Sequence, residues 1–82
     1  MENNQNRMKV YLLSLGFKFY NKGKKQYYYH VIWKGLEFRT ACLDNVWHCS
    51  LGNNKNGLLI DTAKDIDEMK MRLKTYTDLR IN

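Results

Sequence analysis

Residues 17–39 contain aromatic and cationic side chains of the kinds that contact nucleic acid. Aromatic rings stack on unpaired bases, which contributes about 1–3 kcal/mol per base, while lysine and arginine attract phosphates. The run Lys22–Lys25 surrounds a glycine and predicts a hairpin tip that reaches backbone phosphates. The residues predicted to bind are Lys18, Tyr20, Lys22, Lys24, Lys25, Tyr28, His30 and Arg39.

The charge of the chain favours an anionic ligand. Fourteen lysines and arginines stand against eight acidic residues, which gives a net charge of +6. Residues 17–39 hold six of the cations and one acid, Glu37, whereas residues 62–80 hold five cations and four acids. Because a basic surface attracts polyanions, we expect binding through residues 17–39 and not through the last helix.

A protein partner is the alternative to nucleic acid, because exposed tyrosine, tryptophan and arginine are also enriched in protein interfaces. In size and composition the chain resembles small basic proteins of phages and mobile elements, including anti-CRISPR proteins. Its many Lys and Asn residues and its lack of Pro fit an AT-rich coding sequence of that kind. The resemblance implies binding and inhibition of a host nucleic-acid-handling protein complex, with no direct nucleic-acid contact.

A metal site would have to use His30, Cys42, His48 and Cys49, and their spacing does not favour one. No Cys-x-x-Cys or His-x₃-His pattern is present. Neighbours on a strand point to opposite faces, which separates His48 from Cys49. His30 and His48 are expected on one face with a strand between them. The sequence therefore predicts no metal site.

Catalysis and cofactor binding find no support in the pattern. The acids Asp65, Asp67 and Glu68 open the last helix, where they complement its dipole. No glycine-rich phosphate loop and no nucleophile elbow is present. The sequence predicts a binding protein without enzymatic activity or cofactor.

Location follows from what the chain lacks. Residues 1–7 are polar, are expected to be frayed, and contain no apolar signal region. The apolar runs are too short to span a bilayer. We therefore expect a cytoplasmic protein with no membrane contact, whose cysteines are reduced thiols.

Two amphipathic helices bracket the chain. Gly16 is the expected C-terminal cap of the first helix, roughly residues 4–15, and Thr62 with Asp65 resembles a capping box for the last. The apolar stripes at helical spacing are Met8, Tyr11, Leu12 and Leu15, and then Ile66, Met69, Leu73 and Tyr76.

Strands fill the middle of the chain. Phe17 and Phe19 alternate with polar or amphipathic residues, and residues 21–25 read as a turn. Further strands are predicted at 26–33, 36–43 and 46–51, with a closing strand at 58–60; the turns between them are Lys34-Gly35, Asp44-Asn45 and residues 52–57. The prediction is one α+β domain over residues 1–82, a small two-layer domain in which both helices cover one face of an antiparallel meander of three to five strands.

The two short turns predict the register of the sheet. Trp33 then pairs with Leu36, Val31 with Phe38 and Tyr29 with Thr40; across the next turn Cys42 pairs with Trp47, Thr40 with Cys49 and Phe38 with Leu51. One face is expected to carry the helices, with a core of Trp33, Phe38 and Trp47. The other face is expected to hold Tyr28, His30, Ile32, Glu37, Arg39, Ala41, His48 and Ser50, joined by Lys18 and Tyr20. This register keeps Cys42 and Cys49 apart as free thiols.

The order of elements resembles that of double-stranded-RNA-binding domains, which also lay two helices on one sheet face. In that family a lysine-rich start of the last helix contacts phosphates. Here the matching segment, residues 62–68, is more acidic than basic. That family's mode of binding is therefore not expected.

Overall fold

The computed structural model describes residues 4–53 and 56–81. The elements in chain order are α1 (Asn4–Ser14), β1 (Lys18–Lys22), β2 (Lys25–Trp33), β3 (Leu36–Leu43), β4 (Val46–Asn53), β5 (Asn56–Ala63) and α2 (Ile66–Tyr76). The strands form one antiparallel meander in chain order, and side chains of both helices join a single core on one face of it. The predicted α+β fold is confirmed. The described residues contain no helix with the length and hydrophobicity of a transmembrane span.

Two tight turns set the pairing around β3. Lys34 and Gly35 have φ values of 46° and 78°, and Asp44 and Asn45 have 54° and 65°. Positive φ at both central residues is typical of type I′ turns, whose twist matches that of paired strands. Both predicted two-residue turns are confirmed, and so are all three predicted pairs between β3 and β4.

The register of β2 differs from the prediction. Trp33 pairs with Leu36 as expected, but Val31 pairs with Glu37 and Tyr29 with Arg39. The extra residue, Ile32, forms a β-bulge. Because side chains alternate between faces, one extra residue exchanges the faces of the strand residues before it. The predicted pairs of Val31 with Phe38 and of Tyr29 with Thr40 are therefore wrong.

The core is centred on Phe38, which is fully buried. Its ring lies 6.0 Å from that of Phe17, and Trp47 is 2% exposed in the same cluster. Trp33 was expected in this core and is instead 53% exposed. It follows the bulge at the end of β2, where Lys34 Nζ lies 4.5 Å from the centre of its ring.

The first helix ends as Gly16 predicts. Gly16 has φ +96°, its N–H donates to Leu13 O, and the N–H of Phe17 donates to Leu12 O. These two bonds define a Schellman motif, and the buried side chains of Leu12 and Phe17 supply its apolar contact. The apolar stripe is confirmed, with Met8 and Leu12 buried. Helical structure begins at Asn4, and residues 1–3 lie outside the described residues. The fraying of residues 1–7 stays a prediction.

The N-cap of the second helix lies three residues later than predicted. Asp65 is the N-cap, with its carboxylate accepting from the N–H of Glu68 at 2.9 Å, while Glu68 accepts from the N–H of Lys64 at 2.9 Å. Thr62 belongs to β5, so its predicted capping role is wrong. The stripe on α2 is confirmed, since Met69 and Leu73 are fully buried.

The strands are also longer than the apolar pattern indicated. The turn between β1 and β2 contains only Gly23 and Lys24, because Lys22 pairs with Lys25. At the other edge, β5 extends through Asp61 to Ala63. Arg72 on α2 fixes this extension, because its Nε lies 3.2 Å from Asp61 Oδ2 and 2.9 Å from Thr62 O. Residues 54–55, which join β4 to β5 within the predicted turn, lie outside the described residues.

Replacement of Phe38 by Ala tests the core. We expect Phe38→Ala to lower the free energy of unfolding by about 3–5 kcal/mol in urea titrations, because it opens a cavity beneath both helices. Trp33→Ala is the matched control, and we expect a loss of at most about 1 kcal/mol for this exposed ring. Equal losses for the two variants would contradict this description of the core.

Candidate functional site

Three tyrosines form a row on the helix-free face of the sheet. This tyrosine row consists of Tyr20 on β1 with Tyr27 and Tyr29 on β2. Tyr20 pairs directly with Tyr27, and their rings stack with centres 4.8 Å apart and planes 11° apart. Tyr29 meets Tyr27 edge-on at 6.0 Å. The ring planes are therefore ordered by contacts among themselves and not by a covering helix.

Arg39 is held against this row from the neighbouring strand. Its guanidinium carbon lies 5.2 Å from the centre of the Tyr27 ring, and its Nε donates to Glu37 Oε1 at 2.8 Å. Both side chains of this ion pair are largely buried, with exposures of 15% and 24%. Burial raises the pKa of Tyr27, while the positive charge of Arg39 acts in the opposite direction. The tyrosine therefore stays neutral beside a fixed cation.

Lysines surround the tyrosine row. Lys18 and Lys22 flank Tyr20 on β1, and Lys25 precedes Tyr27 on β2 at alternating positions of the same face. Lys24 lies at the exposed turn that joins the two strands. Among the described strand residues of this face the acid is Glu37, which is paired with Arg39. The field at this surface is positive.

A shallow depression extends this surface toward the centre of the sheet. It has a volume of about 390 Å³, and Tyr27, Arg39, His48 and Ser50 contribute to its walls. Its lining combines the Tyr27 ring and the Arg39 guanidinium with Lys24, Lys25 and hydroxyl or imidazole groups.

Two predicted binding residues lie on the other face, as does Ile32, which was also expected on the open face and instead packs on the core. Tyr28 is 8% exposed, and its ring packs 4.8 Å from Phe19 and 6.0 Å from Trp47. His30 meets the buried ring of Phe17 edge-on at 5.3 Å. The bulge at Ile32 causes both differences.

Tyr27 and Tyr29 occupy the places on the open face that Tyr28 and His30 were expected to fill. The other residues predicted to bind lie on the open face or at its edge. They are Lys18, Tyr20, Lys22, Lys24, Lys25 and Arg39. The run of three tyrosines from Tyr27 to Tyr29 places a tyrosine on either face in either register. The sequence therefore indicated an aromatic face without identifying its members.

The histidines and cysteines do not converge. The bulge moves His30 to the helix side, while His48 remains on the open face, so their expected sharing of one face is wrong. Over residues 4–53 and 56–81 no group of three His, Cys, Asp or Glu side chains is placed to hold a metal ion. The two cysteines are free thiols, and Cys49 lies opposite Thr40 as predicted. Burial raises the pKa of Cys49 to about 11.

Comparison with known proteins adds no relative. No family model matches the sequence, and no curated protein or solved structure matches it.

The two thiols are predicted to differ sharply in reactivity. Cys42 is half-buried, whereas Cys49 is fully buried and its raised pKa disfavours the reactive thiolate. At about pH 8 we expect iodoacetamide to label Cys42 in the native protein, and Cys49 only after unfolding in urea. Peptide mass spectrometry reads out the sites. Cys42→Ser is the control and is expected to remove native labelling; rapid labelling of its Cys49 would contradict the prediction.

Proposed function

We propose that this protein is a non-enzymatic cytoplasmic protein that binds single-stranded nucleic acid through the helix-free face of its sheet. The observation that carries the proposal is the tyrosine row, stacked and bordered by Arg39 and lysines on a face that neither helix covers. Rings supply stacking, and the cations supply phosphate contacts.

The geometry of the rings favours bases that join an existing stack. Tyr20 and Tyr27 lie nearly parallel, so each has one face directed at the other. Tyr20 belongs to the edge strand β1 and ends the stack on that side. A base that stacks on the outer face of Tyr20 continues the series without breaking an existing contact.

The width of the sheet favours a single strand over a duplex. Five strands at the usual spacing measure about 19 Å across. The major groove of B-DNA is about 12 Å wide and admits a two-stranded ribbon. The open face therefore does not enter a groove, whereas a single strand lies across it with bases and phosphates both in reach.

Two variants of Tyr20 test whether its ring stacks on a base. We expect Tyr20→Leu to weaken binding to a single-stranded oligonucleotide by about 1–3 kcal/mol, because the ring that receives a base is lost. Fluorescence anisotropy of a labelled oligonucleotide measures the Kd. Tyr20→Phe keeps the ring and is expected to bind as the unmodified protein does. Unchanged affinity in the Leu variant would remove Tyr20 from the interface.

The salt dependence of binding tests the cationic contribution. Four phosphate contacts, from the exposed side chains Lys18, Lys22, Lys24 and Lys25, predict a slope of log K against log salt of about −2.8 for a single strand. Changing Lys22, Lys24 and Lys25 together to Glu leaves one contact and a slope of about −0.7.

The control for that variant reverses three cations away from the open face. Lys64, Lys74 and Arg80 are exposed, and the first two flank or belong to α2. Their reversal is expected to preserve most of the affinity, with thermal melting as the check on folding.

If the unmodified protein binds no oligonucleotide and instead retains a nuclease-resistant protein partner, the alternative function as an inhibitor of a host protein complex replaces this proposal.

A further inference from the structure

The two hairpins of the sheet diverge toward their tips. Pairing between β1 and β2 continues to Lys22 and Lys25, and pairing between β3 and β4 continues to Leu43 and Val46. Pairing between β2 and β3 ends earlier, at Tyr28 and Thr40. The last residues of β2 toward its turn, Lys25–Tyr27, therefore have no paired residue in β3.

A cavity of about 340 Å³ lies at this divergence, on the helix side of the sheet. We call it the hairpin cleft. Its lining comes from α1, from the strands β1–β4 and from the two turns at the hairpin tips. Its volume falls in the range of small-ligand sites, about 300–1,000 Å³.

The lining of the cleft has three kinds of surface. Phe19, Tyr28 and Trp47 form an aromatic wall, in which the ring of Tyr28 lies 4.8 Å from that of Phe19 and 6.0 Å from that of Trp47; Phe19 is 46% exposed, and the other two rings are buried. Gln5 and Gln26 offer amide groups that both donate and accept hydrogen bonds. This pairing of aromatic wall and amides is the chemistry that recognises a heteroaromatic ring with polar edges.

The charged residues of the cleft indicate the rest of the ligand. Lys9 and Lys24 are exposed cations, and Asp44 is the one acid among the lining residues. The hydrogen bond from Gln5 Nε2 to Asn45 Oδ1, 2.6 Å long, joins α1 to the β3–β4 turn beside Asp44. The site therefore combines an aromatic interior with a cationic border, which complements a base attached to phosphates.

The cleft also adjoins the open face. Lys24, Gln26, Tyr27 and Ala41 line both the hairpin cleft and the depression on the opposite side of the sheet. The unpaired stretch between β2 and β3 is thus the place where the two surfaces meet. A strand bound along the tyrosine row passes this opening.

We propose that the hairpin cleft binds one unpaired base of the nucleic-acid strand that crosses the open face. The inference rests on the proposed function and adds a defined base pocket to it. The base lies against the aromatic wall, its polar edge meets the glutamine amides, and its phosphates lie near Lys9 and Lys24.

Cys42 provides a direct probe of occupancy in the unmodified protein. It lines the cleft, whereas Cys49 is buried outside it and serves as an internal control. The rate of Cys42 alkylation by iodoacetamide is measured by mass spectrometry with three oligonucleotides of equal length. These are oligothymidylate, a fully abasic strand, and an abasic strand with one thymine restored. Anisotropy at low salt establishes the concentration that saturates binding of each.

Base occupancy predicts a specific order of protection. At about ten times the Kd of oligothymidylate the free cleft falls to roughly a tenth, so Cys42 alkylation slows about tenfold. The abasic strand binds by its phosphates and leaves the rate unchanged, and the strand with one thymine restores protection. Equal protection by the fully abasic strand would show that phosphates alone cover Cys42, and would overturn the base pocket.

The experiment also separates the two proposals. Oligonucleotide binding with no change in Cys42 alkylation overturns the base pocket and leaves binding at the open face intact. If none of the three strands binds in the anisotropy measurement, the proposed function is overturned, and the base pocket with it.

Discussion

The β-bulge at Ile32 determines which side chains of β2 face the helices, and both surfaces of the sheet depend on it. Because one extra residue lies between the pairs Val31–Glu37 and Trp33–Leu36, Tyr28 packs toward the buried core. The same shift directs Tyr27 to the opposite face, where it stacks on Tyr20. Without the bulge, alternation would exchange these two tyrosines, so the aromatic wall of the cleft and the tyrosine row would have different members.

A chain of this size covers only one face of its sheet. Both helices are 11 residues long, and their buried side chains join one cluster around Phe38. Small domains bury a limited share of their surface, so the second face remains in solvent and must be stable there. Cross-strand aromatic contacts contribute roughly 0.2–1 kcal/mol each. The tyrosine row therefore stabilises the sheet whether or not it also binds bases. The two roles can be distinguished at Tyr20, where the outer face of the ring is the proposed site of base stacking.

The sequence predicts a structural feature when the residues that determine it lie close together in the chain. The turn residues Lys34-Gly35 and Asp44-Asn45 predict their own geometry, so the register of β3 with β4 was predicted in full. The bulge carries no such signal, because Ile32 is an ordinary strand residue that packs on the core. Alternation correctly placed Arg39 on the open face, and it misplaced Tyr28 because the error begins at the bulge. Trp33, which follows the bulge at the end of β2, is exposed, and no local pattern records that exposure.

The charged tip of β1–β2 lacks backbone pairing with β3. Lys25–Tyr27 pair with β1 alone, since the ladder to β3 begins at Tyr28. A continuous ladder would bring this segment against Ala41–Leu43 and close the hairpin cleft. The divergence thus gives up cross-strand contacts and leaves a space whose lining is aromatic and whose border is cationic. Regions with few such contacts open most readily, and a ligand that binds only the folded state stabilises it by mass action. A base held between the two hairpins contacts both and so replaces the contacts that the divergence removes.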